Sequence, residues 1–223
     1  MEIKPIAFAE NDYTGKFGVP RQSGLIESVE TKIIFNEEFS SPTAFKCIDM
    51  YERLWIIWGF SLCENQSAAL TVRPPRLGGN KRVGVFASRS PFRPNSLGLS
   101  CVKLLKIEKQ GKNMALFVTG ADFANGTPIF DVKPYLAYVD SYPLASNGFA
   151  LAKKEGDLRV EAGEEIKKLP PQKRQGLIDI LSQDPRPSYR EDAREYGFEY
   201  AGFNIKFKVE NETAYILSVN EAD

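Results

Sequence analysis

Short apolar runs alternate with glycine- and proline-rich turns through the first half of the chain, and this pattern constrains the fold more than any other. Residues 54–60 form an almost continuous apolar run, which suits a strand buried on both faces. Residues 97–107 and 114–118 flank a loop that contains Gly111, an arrangement that favours an antiparallel hairpin. Further short runs lie at 3–9, 32–35, 83–87 and 129–132. The pattern predicts a mainly β fold, an antiparallel sandwich or barrel.

The last third of the chain follows a different pattern. Residues 141–156 are rich in Ser, Ala, Gly and Pro and then become charged, which is typical of a linker. Pro171 can open a helix that runs to Leu181, and residues 203–219 read as a closing hairpin. Further helices are expected at 41–50 and 162–169. We therefore expect a domain boundary near residue 150, with residues 1–150 forming a β domain and residues 151–223 a small α+β C-terminal domain.

Composition excludes several kinds of chemistry. The 223 residues include no histidine. This excludes His-ligated metal sites, Ser-His-Asp triads and imidazole acid–base catalysis. Cys47, Cys63 and Cys101 are odd in number and widely spaced, which indicates buried reduced thiols and no metal site. No run of about eighteen apolar residues and no signal-peptide core are visible. We expect a cytoplasmic, soluble protein with no membrane attachment.

Basic residues are concentrated in one part of a chain that is neutral overall. Residues 65–107 carry 8 Lys and Arg and no Asp or Glu. Arg73, Arg93 and Arg186 each precede proline, which restricts the backbone to extended conformations and presents the guanidinium groups from stiff loops. The pattern favours an anion-binding surface for the phosphates of a nucleotide or nucleic acid. The alternative is a solvated face whose arginines pair with acids elsewhere.

Two familiar nucleotide-binding motifs are missing, and one polar row stands out. No GxGxxG motif follows a strand, and Val85 stands where a phosphate-binding loop needs lysine. Asp131, Lys133 and Tyr135 occupy alternate positions and so share one face of a strand. This row is either part of a chemical site or a structural pair between Asp131 and Lys133.

Several strings of residues resemble the TsaA-like (TrmO) family of S-adenosylmethionine-dependent tRNA methyltransferases. The longest is Gly-Val-Phe-Ala-Ser-Arg-Ser-Pro-Phe-Arg-Pro-Asn at 84–95, preceded by Val-Arg-Pro-Pro-Arg-Leu-Gly-Gly-Asn at 72–80. Gly-Thr-Pro at 126–128 and Asp-Val-Lys-Pro-Tyr at 131–135 follow it. Residues 183–190 and 203–209 resemble the small C-terminal domain of bacterial members. The resemblance therefore covers nearly the whole chain.

The resemblance implies a fold, a reaction and a cofactor site. Family members have a compact antiparallel β-barrel, work as homodimers, and methylate the N6 nitrogen of the threonylcarbamoyladenosine next to the anticodon. By that likeness the S-adenosylmethionine pocket is lined by Pro20, Arg21, Gln22, Ser61, Leu62, Arg89, Leu99, Asn125, Gly126, Thr127 and Pro128. The tRNA would be contacted by Arg73, Arg76, Lys81, Arg82, Arg93 and Arg186.

Methyl transfer mainly requires that donor and acceptor be positioned, so a chain without histidine can perform it. The acceptor nitrogen lies beside a carbonyl and is a poor nucleophile, so loss of its proton should accompany transfer. Asp131 is the first candidate base and Tyr135 the second.

The chain departs from the family pattern at three positions, and two other functions stay open. Family members often carry histidine where Ser61 stands, proline where Ser96 stands and aspartate where Asn125 stands. One alternative is a non-catalytic RNA-binding module that keeps the basic face and lacks the cofactor. The other is a methyltransferase of the same fold that acts on a small metabolite.

Overall fold

The fold was analysed in a computed structural model, which describes residues 2–63, 68–74, 77, 79–151, 158–186 and 194–222. Strands dominate these residues, as the apolar pattern predicted. Two α-helices accompany them, the short α1 (Ala137–Asp140) and the longer α2 (Pro171–Ser182). The strands are β1 (Ala7–Glu10), β2 (Glu30–Phe35), β3 (Arg53–Gly59), β4 (Thr71–Val72), β5 (Val83–Gly84), β6 (Leu97–Gln110), β7 (Asn113–Thr119), β8 (Pro128–Pro134), β9 (Arg159–Glu161), β10 (Glu195–Tyr200), β11 (Phe203–Glu210) and β12 (Thr213–Glu221).

Six antiparallel strands form the N-terminal sheet in the order β1-β2-β7-β6-β3-β8. The sheet closes on itself because β1 also pairs with β8, through Ala7 opposite Ile129 and Phe8 opposite Pro128. Leu54 and Ile56 of β3 are fully buried in its core. The predicted mainly β, antiparallel N-terminal half is therefore confirmed.

Strand β3 differs from its prediction in an informative way. Its burial alternates: Leu54, Ile56 and Trp58 are buried, whereas Trp55 and Ile57 are only half-buried. Trp55 and Ile57, on the other face of the strand, line a cavity. Both faces of β3 are therefore apolar, but only one of them is buried in the core.

The hairpin formed by β6 and β7 confirms another sequence prediction. The two strands pair antiparallel, and Gly111 in the turn has a φ of +61°, a conformation that glycine adopts without strain. Gly98 of β6 is also required, because a Cβ atom there would collide with the indole of Trp58.

The helix predicted for residues 41–50 does not form. Two 3₁₀ turns, Pro42–Phe45 and Ile48–Met50, stand in its place. Cys47 between them has a φ of +68°, which breaks the helical path. Its thiol is free but the residue is exposed, and Cys63 and Cys101 are only partly buried, so the prediction of buried thiols is wrong.

The C-terminal unit is a four-stranded sheet, β10-β11-β12-β9, covered by helix α2. The predicted hairpin of β11 and β12 and the predicted helix beginning at Pro171 are both confirmed. Residues 162–169 form only a 3₁₀ turn, Glu165–Lys168. The unit is thus richer in sheet than the sequence suggested, since β9 and β10 had not been anticipated.

Two hydrophobic cores organise the described residues. One fills the N-terminal barrel and the other lies between α2 and the C-terminal sheet. Tyr13, Ile26 and Val29 come from the N-terminal part of the chain yet belong to the C-terminal core. A cut at residue 150 therefore does not separate the two cores.

Two other features are absent from the described residues. Over the described ranges, no helix is long and apolar enough to cross a membrane. The same part of the chain contains no cluster of three or more His, Cys, Asp or Glu that could hold a metal.

Candidate active site

An open cavity of about 950 Å³ lies beside the barrel, against the second face of β3. Trp55 and Ile57 of β3 and Leu97 and Leu99 of β6 form its apolar floor. Its walls come from separate segments of the chain: Lys16, Val19, Pro20, Arg21, Gln22, Ser23, Phe60, Ser61, Leu62, Cys63, Arg89, Pro91, Arg93, Asp122, Phe123, Ala124 and Thr127. The volume falls within the range of about 300 to 1,000 Å³ typical of small-molecule and cofactor sites.

The structure brings most of the residues predicted to bind cofactor into this one cavity. Pro20, Arg21, Gln22, Ser61, Leu62, Arg89, Leu99 and Thr127 all line it. Asn125, Gly126 and Pro128 are not among its lining residues over the described part of the chain, although they share a turn with Thr127. Gly126 has a φ of +76°, as this turn requires.

Two arginines of the cavity wall already hold partners within the protein. Arg89 donates a short hydrogen bond from Nη1 to Oε1 of Gln22. Arg21 donates from Nη2 to the backbone carbonyls of Asp184, at 3.0 Å, and Arg186, at 2.9 Å. The cavity wall is therefore connected to the C-terminal unit through Arg21.

The positions that depart from the family pattern make local contacts. The Ser61 hydroxyl lies 3.4 Å from the hydroxyl of Thr127, whose residue is buried. The Asn125 side-chain oxygen accepts a hydrogen bond from the backbone N–H of Asn11 at 3.1 Å, as an aspartate there also could. The Ser96 hydroxyl donates to a loop carbonyl at 3.1 Å.

Asp122 is a cavity residue that sequence reasoning missed. Among the described lining residues it provides the only carboxylate. The indole N–H of Trp58 donates to Oγ of Ser100 at 2.7 Å, and the Ser100 hydroxyl donates a short hydrogen bond to Oδ1 of Asp122. Burial raises the pKa of the Asp122 carboxyl, against the opposing effects of Ser100, backbone N–H groups and the charge of Arg89. Asp122 is thus an oriented carboxylate with an increased tendency to take up a proton.

One signal in the sequence could have identified Asp122. It is the only charged residue from Met114 to Phe130, in a segment that otherwise reads as buried strand and turn. A charge in such a segment is costly unless it is hydrogen-bonded or functional.

The two predicted bases lie elsewhere. Asp131 lines a second, smaller cavity of about 330 Å³ and pairs with Lys133 at 2.9 Å, as the structural interpretation of the polar row predicted. Tyr135 packs edge-on against Trp55, with 5.6 Å between the ring centres. Over the described residues, the structure places neither side chain in the lining of the larger cavity.

The predicted tRNA-binding cations do not share one environment. Arg73, Lys81 and Arg82 are exposed in and around the small β4–β5 sheet, and Arg82 donates to the Thr71 hydroxyl at 3.2 Å. Arg93 lines the cavity itself. Arg76 lies outside the described residues. Two large apolar side chains, Leu70 and Phe86, are 89% and 77% exposed in the same region.

Arg186 is held inside its own loop. Its guanidinium pairs with the carboxylate of Asp184 at 2.8 Å, and both side chains are largely buried. Asp184 has a φ of +47°. Residues 187–190 of the same predicted cluster lie outside the described residues.

Comparisons with known proteins match both units. The family profile described as the tRNA-methyltransferase O N-terminal domain matches residues 8–141, and the TrmO C-terminal domain profile matches residues 157–222. A tRNA (adenine(37)-N6)-methyltransferase of Escherichia coli K12 is 34% identical over 219 residues, which is 94% of this chain and 93% of that protein. A tRNA (adenine(37)-N6)-methyltransferase of Eikenella corrodens is 41% identical over 172 residues, 76% of this chain and 97% of that protein. A crystal structure of TrmO from P. aeruginosa superimposes with a TM-score of 0.80 and 26% identity, covering 100% of this chain and 97% of that one.

Proposed function

The chain belongs to the tRNA-methyltransferase O family, and from that premise we propose that it methylates the N6 nitrogen of threonylcarbamoyladenosine at position 37 of tRNA, with S-adenosylmethionine as methyl donor. The observation that carries the proposal is the open cavity of about 950 Å³ beside the barrel. Segments far apart in sequence, around Arg21, Ser61, Arg89 and Thr127, converge on it. These are segments in which the family resemblance had located the cofactor pocket.

The residues of the cavity match the chemistry of the cofactor. S-adenosylmethionine carries a carboxylate, an ammonium group, a sulfonium and an adenine ring. Arg89 and Arg93 offer cationic donors for a carboxylate, and Phe60, Leu62 and Leu99 offer apolar surface for a flat ring. When bound, the cofactor supplies an activated methyl carbon. The protein then has to hold the acceptor in line and accept its proton.

We propose Asp122 as the group that accepts this proton. An Oδ atom of the ionised carboxylate takes the hydrogen of the N6–H group as the bond from N6 to the methyl carbon forms. When bound, the cofactor would supply the methyl carbon and would keep the electron pair of the carbon–sulfur bond that is broken. The hydrogen bond from Ser100, itself fixed by Trp58, orients the Asp122 carboxylate for this task. Asp131, paired with Lys133 beside another cavity, is less suited to it.

The β4–β5 region is the proposed contact surface for tRNA. Arg73, Lys81 and Arg82 present positive charge to solvent there, and Phe86 presents an exposed aromatic ring. Cations bind phosphates, and exposed rings stack on unpaired bases such as those of an anticodon loop. This combination favours RNA over a small metabolite as substrate.

Three further assignments are part of the proposal. Residues 1–150 would carry the cofactor site and the chemistry, and residues 151–223 would form the C-terminal domain. The protein would work as a homodimer, as the family resemblance implies, and would be located in the cytoplasm.

Nucleoside analysis of tRNA tests the function directly in cells. In a strain that lacks the gene, mass spectrometry should detect threonylcarbamoyladenosine without its N6-methyl form. Adding back the wild-type gene should restore the methylated nucleoside, and adding back the Asp122→Asn gene should not. An unchanged nucleoside profile in the deletion strain would reject the proposed substrate.

A further inference from the structure

One segment of the N-terminal part is shared between the cavity and the C-terminal core. We call residues 13–29 the wall segment, because it forms one side of the cavity. Six residues of the wall segment line the cavity: Lys16, Val19, Pro20, Arg21, Gln22 and Ser23. The segment contains no regular strand or α-helix, so its shape depends on what holds it from outside.

Hydrogen bonds hold the wall segment to the barrel. The backbone N–H of Gly24 donates to the Gly120 carbonyl at 2.9 Å, and the backbone N–H of Cys101 donates to the Ser23 hydroxyl at 3.2 Å. The Tyr13 carbonyl accepts from the backbone N–H of Asn125 at 2.7 Å. These bonds hold the segment at Tyr13 and at Ser23 and Gly24, and they leave residues 17–21 to other contacts.

Aromatic packing against the C-terminal sheet holds that middle. The ring of Phe17 lies edge-on to Phe198 of β10, with 5.8 Å between ring centres, and stacks on Phe207 of β11 at 6.4 Å. Gly18 has a φ of +93°, and a Cβ atom there would lie 2.7 Å from the Phe198 ring. The segment and the sheet are therefore in direct contact, with space for glycine only.

The side chains on either side of this contact strengthen the connection. Tyr13, Ile26 and Val29 are 3%, 2% and 3% exposed and belong to the C-terminal core. The Arg21 guanidinium donates hydrogen bonds to the backbone carbonyls of Asp184 and Arg186. The wall segment is thus also held by C-terminal residues that do not line the cavity.

We infer that the C-terminal sheet is a positioning element of the cofactor cavity, with Phe198 as its central positioning residue. The inference rests on the proposed function, since it concerns the site assigned there to S-adenosylmethionine. An irregular segment has to be ordered before it can bind a ligand, and prior ordering removes that cost from binding. The aromatic core does this ordering, so cofactor affinity depends on residues that never touch the cofactor.

Two core truncations in the full chain test the inference. Phe198→Ala removes the ring beneath Gly18, whereas Ile216→Ala removes a side chain of the same 8% exposure from β12 of the same core. Hydrogen–deuterium exchange is read on peptides from residues 13–24, and binding of S-adenosylhomocysteine is read by calorimetry. We expect Phe198→Ala to speed exchange in the wall segment at least tenfold and to weaken binding at least tenfold, and Ile216→Ala to change each less than threefold.

A second pair of variants covers the case in which Phe198→Ala fails to fold. Gly18→Ala forces a methyl group against the Phe198 ring, and Gly202→Ala puts the same methyl group at a φ of +78° where nothing lies within 4 Å. Faster exchange in residues 13–24 for Gly18→Ala alone supports the inference.

The exchange measurement needs no ligand, so it separates this inference from the proposed function. Equal exchange and equal affinity in the test and control variants would overturn the positioning role. A wild-type chain with an ordered wall segment that does not bind S-adenosylhomocysteine would overturn the proposed function instead, and with it the role of the sheet in cofactor binding.

Discussion

Asp122 combines partial burial in the cavity wall with an oriented hydrogen bond, which suits a proton acceptor. Replacing it by Asn keeps the shape and removes the ability to take a proton. We expect Asp122→Asn to lower kcat for methyl transfer by about 10²- to 10⁴-fold, the usual contribution of a positioned base. Binding of S-adenosylhomocysteine should change much less. Asp131→Asn is the matched control and should keep kcat within about threefold of wild type; the reverse result would assign the base to Asp131.

The acid limb of the pH–rate profile provides a second test of Asp122. Burial raises the pKa of its carboxyl above the ordinary value of about 3.9, and only the ionised form can accept a proton. The rate should therefore rise with pH through a transition that lies above that ordinary value. A single-turnover profile that is flat across the acidic range where the protein stays folded would exclude Asp122 as the base.

Arg89 is expected to contribute to binding and not to the chemical step. It lines the cavity and holds Gln22 in place, so Arg89→Ala removes a charge-assisted contact worth about 1.5 to 3 kcal/mol. Calorimetry with S-adenosylmethionine should show an affinity lower by tenfold or more. Arg82→Ala, which removes the same charge from the β4–β5 region, should leave this affinity unchanged.

At the scale of elements, the small β4–β5 sheet is expected to carry the electrostatic part of tRNA binding. Replacing both Lys81 and Arg82 by Ala should weaken binding and reduce the slope of log affinity against log salt by about one to two units, since each phosphate contact contributes about 0.7 to 0.9. The control pair is Lys167 and Lys168 of the 3₁₀ turn Glu165–Lys168, which are paired with Glu164 and Glu165. An equal effect from both pairs would show only a loss of overall charge.

The elements that could be predicted from the sequence are those with a clear local pattern. The β6–β7 hairpin was predictable because its two apolar runs and Gly111 form a local pattern. Strand β10 also alternates, with Tyr196, Phe198 and Tyr200 facing the core, but the glutamates and Gly197 obscured it. The prediction of a helix at 41–50 was wrong because the local sequence does not reveal the left-handed conformation of Cys47.

The residues of the candidate site could be predicted in part for a similar reason. Family motifs identified the loops that contain Arg21, Arg89 and Thr127, and the fold brings them together. The motifs did not identify Asp122, whose role comes from its three-dimensional relation to Ser100 and Trp58. They also gave no indication that Phe17 packs on the C-terminal sheet, since that contact joins residues far apart in sequence.

At the scale of the whole molecule, the two units should respond to each other. If the C-terminal sheet orders the wall segment, a ligand that binds the ordered segment must also favour its packing on the sheet, because coupling between sites is reciprocal. Saturating S-adenosylhomocysteine should therefore slow hydrogen exchange in β10 (Glu195–Tyr200), although no residue of β10 lines the cavity. Protection confined to cavity residues would show that the units act independently.

The most direct test of the central claim follows a labelled methyl group in vitro. The purified protein is incubated with S-adenosylmethionine carrying a deuterated methyl group and with tRNA prepared with or without the threonylcarbamoyl group on adenosine 37. Mass spectrometry of the digested nucleosides should find the label on N6 of threonylcarbamoyladenosine with the wild-type protein, little or none with Asp122→Asn, and none on the unmodified tRNA. Label on the unmodified adenosine, or no transfer to either tRNA, would contradict the account.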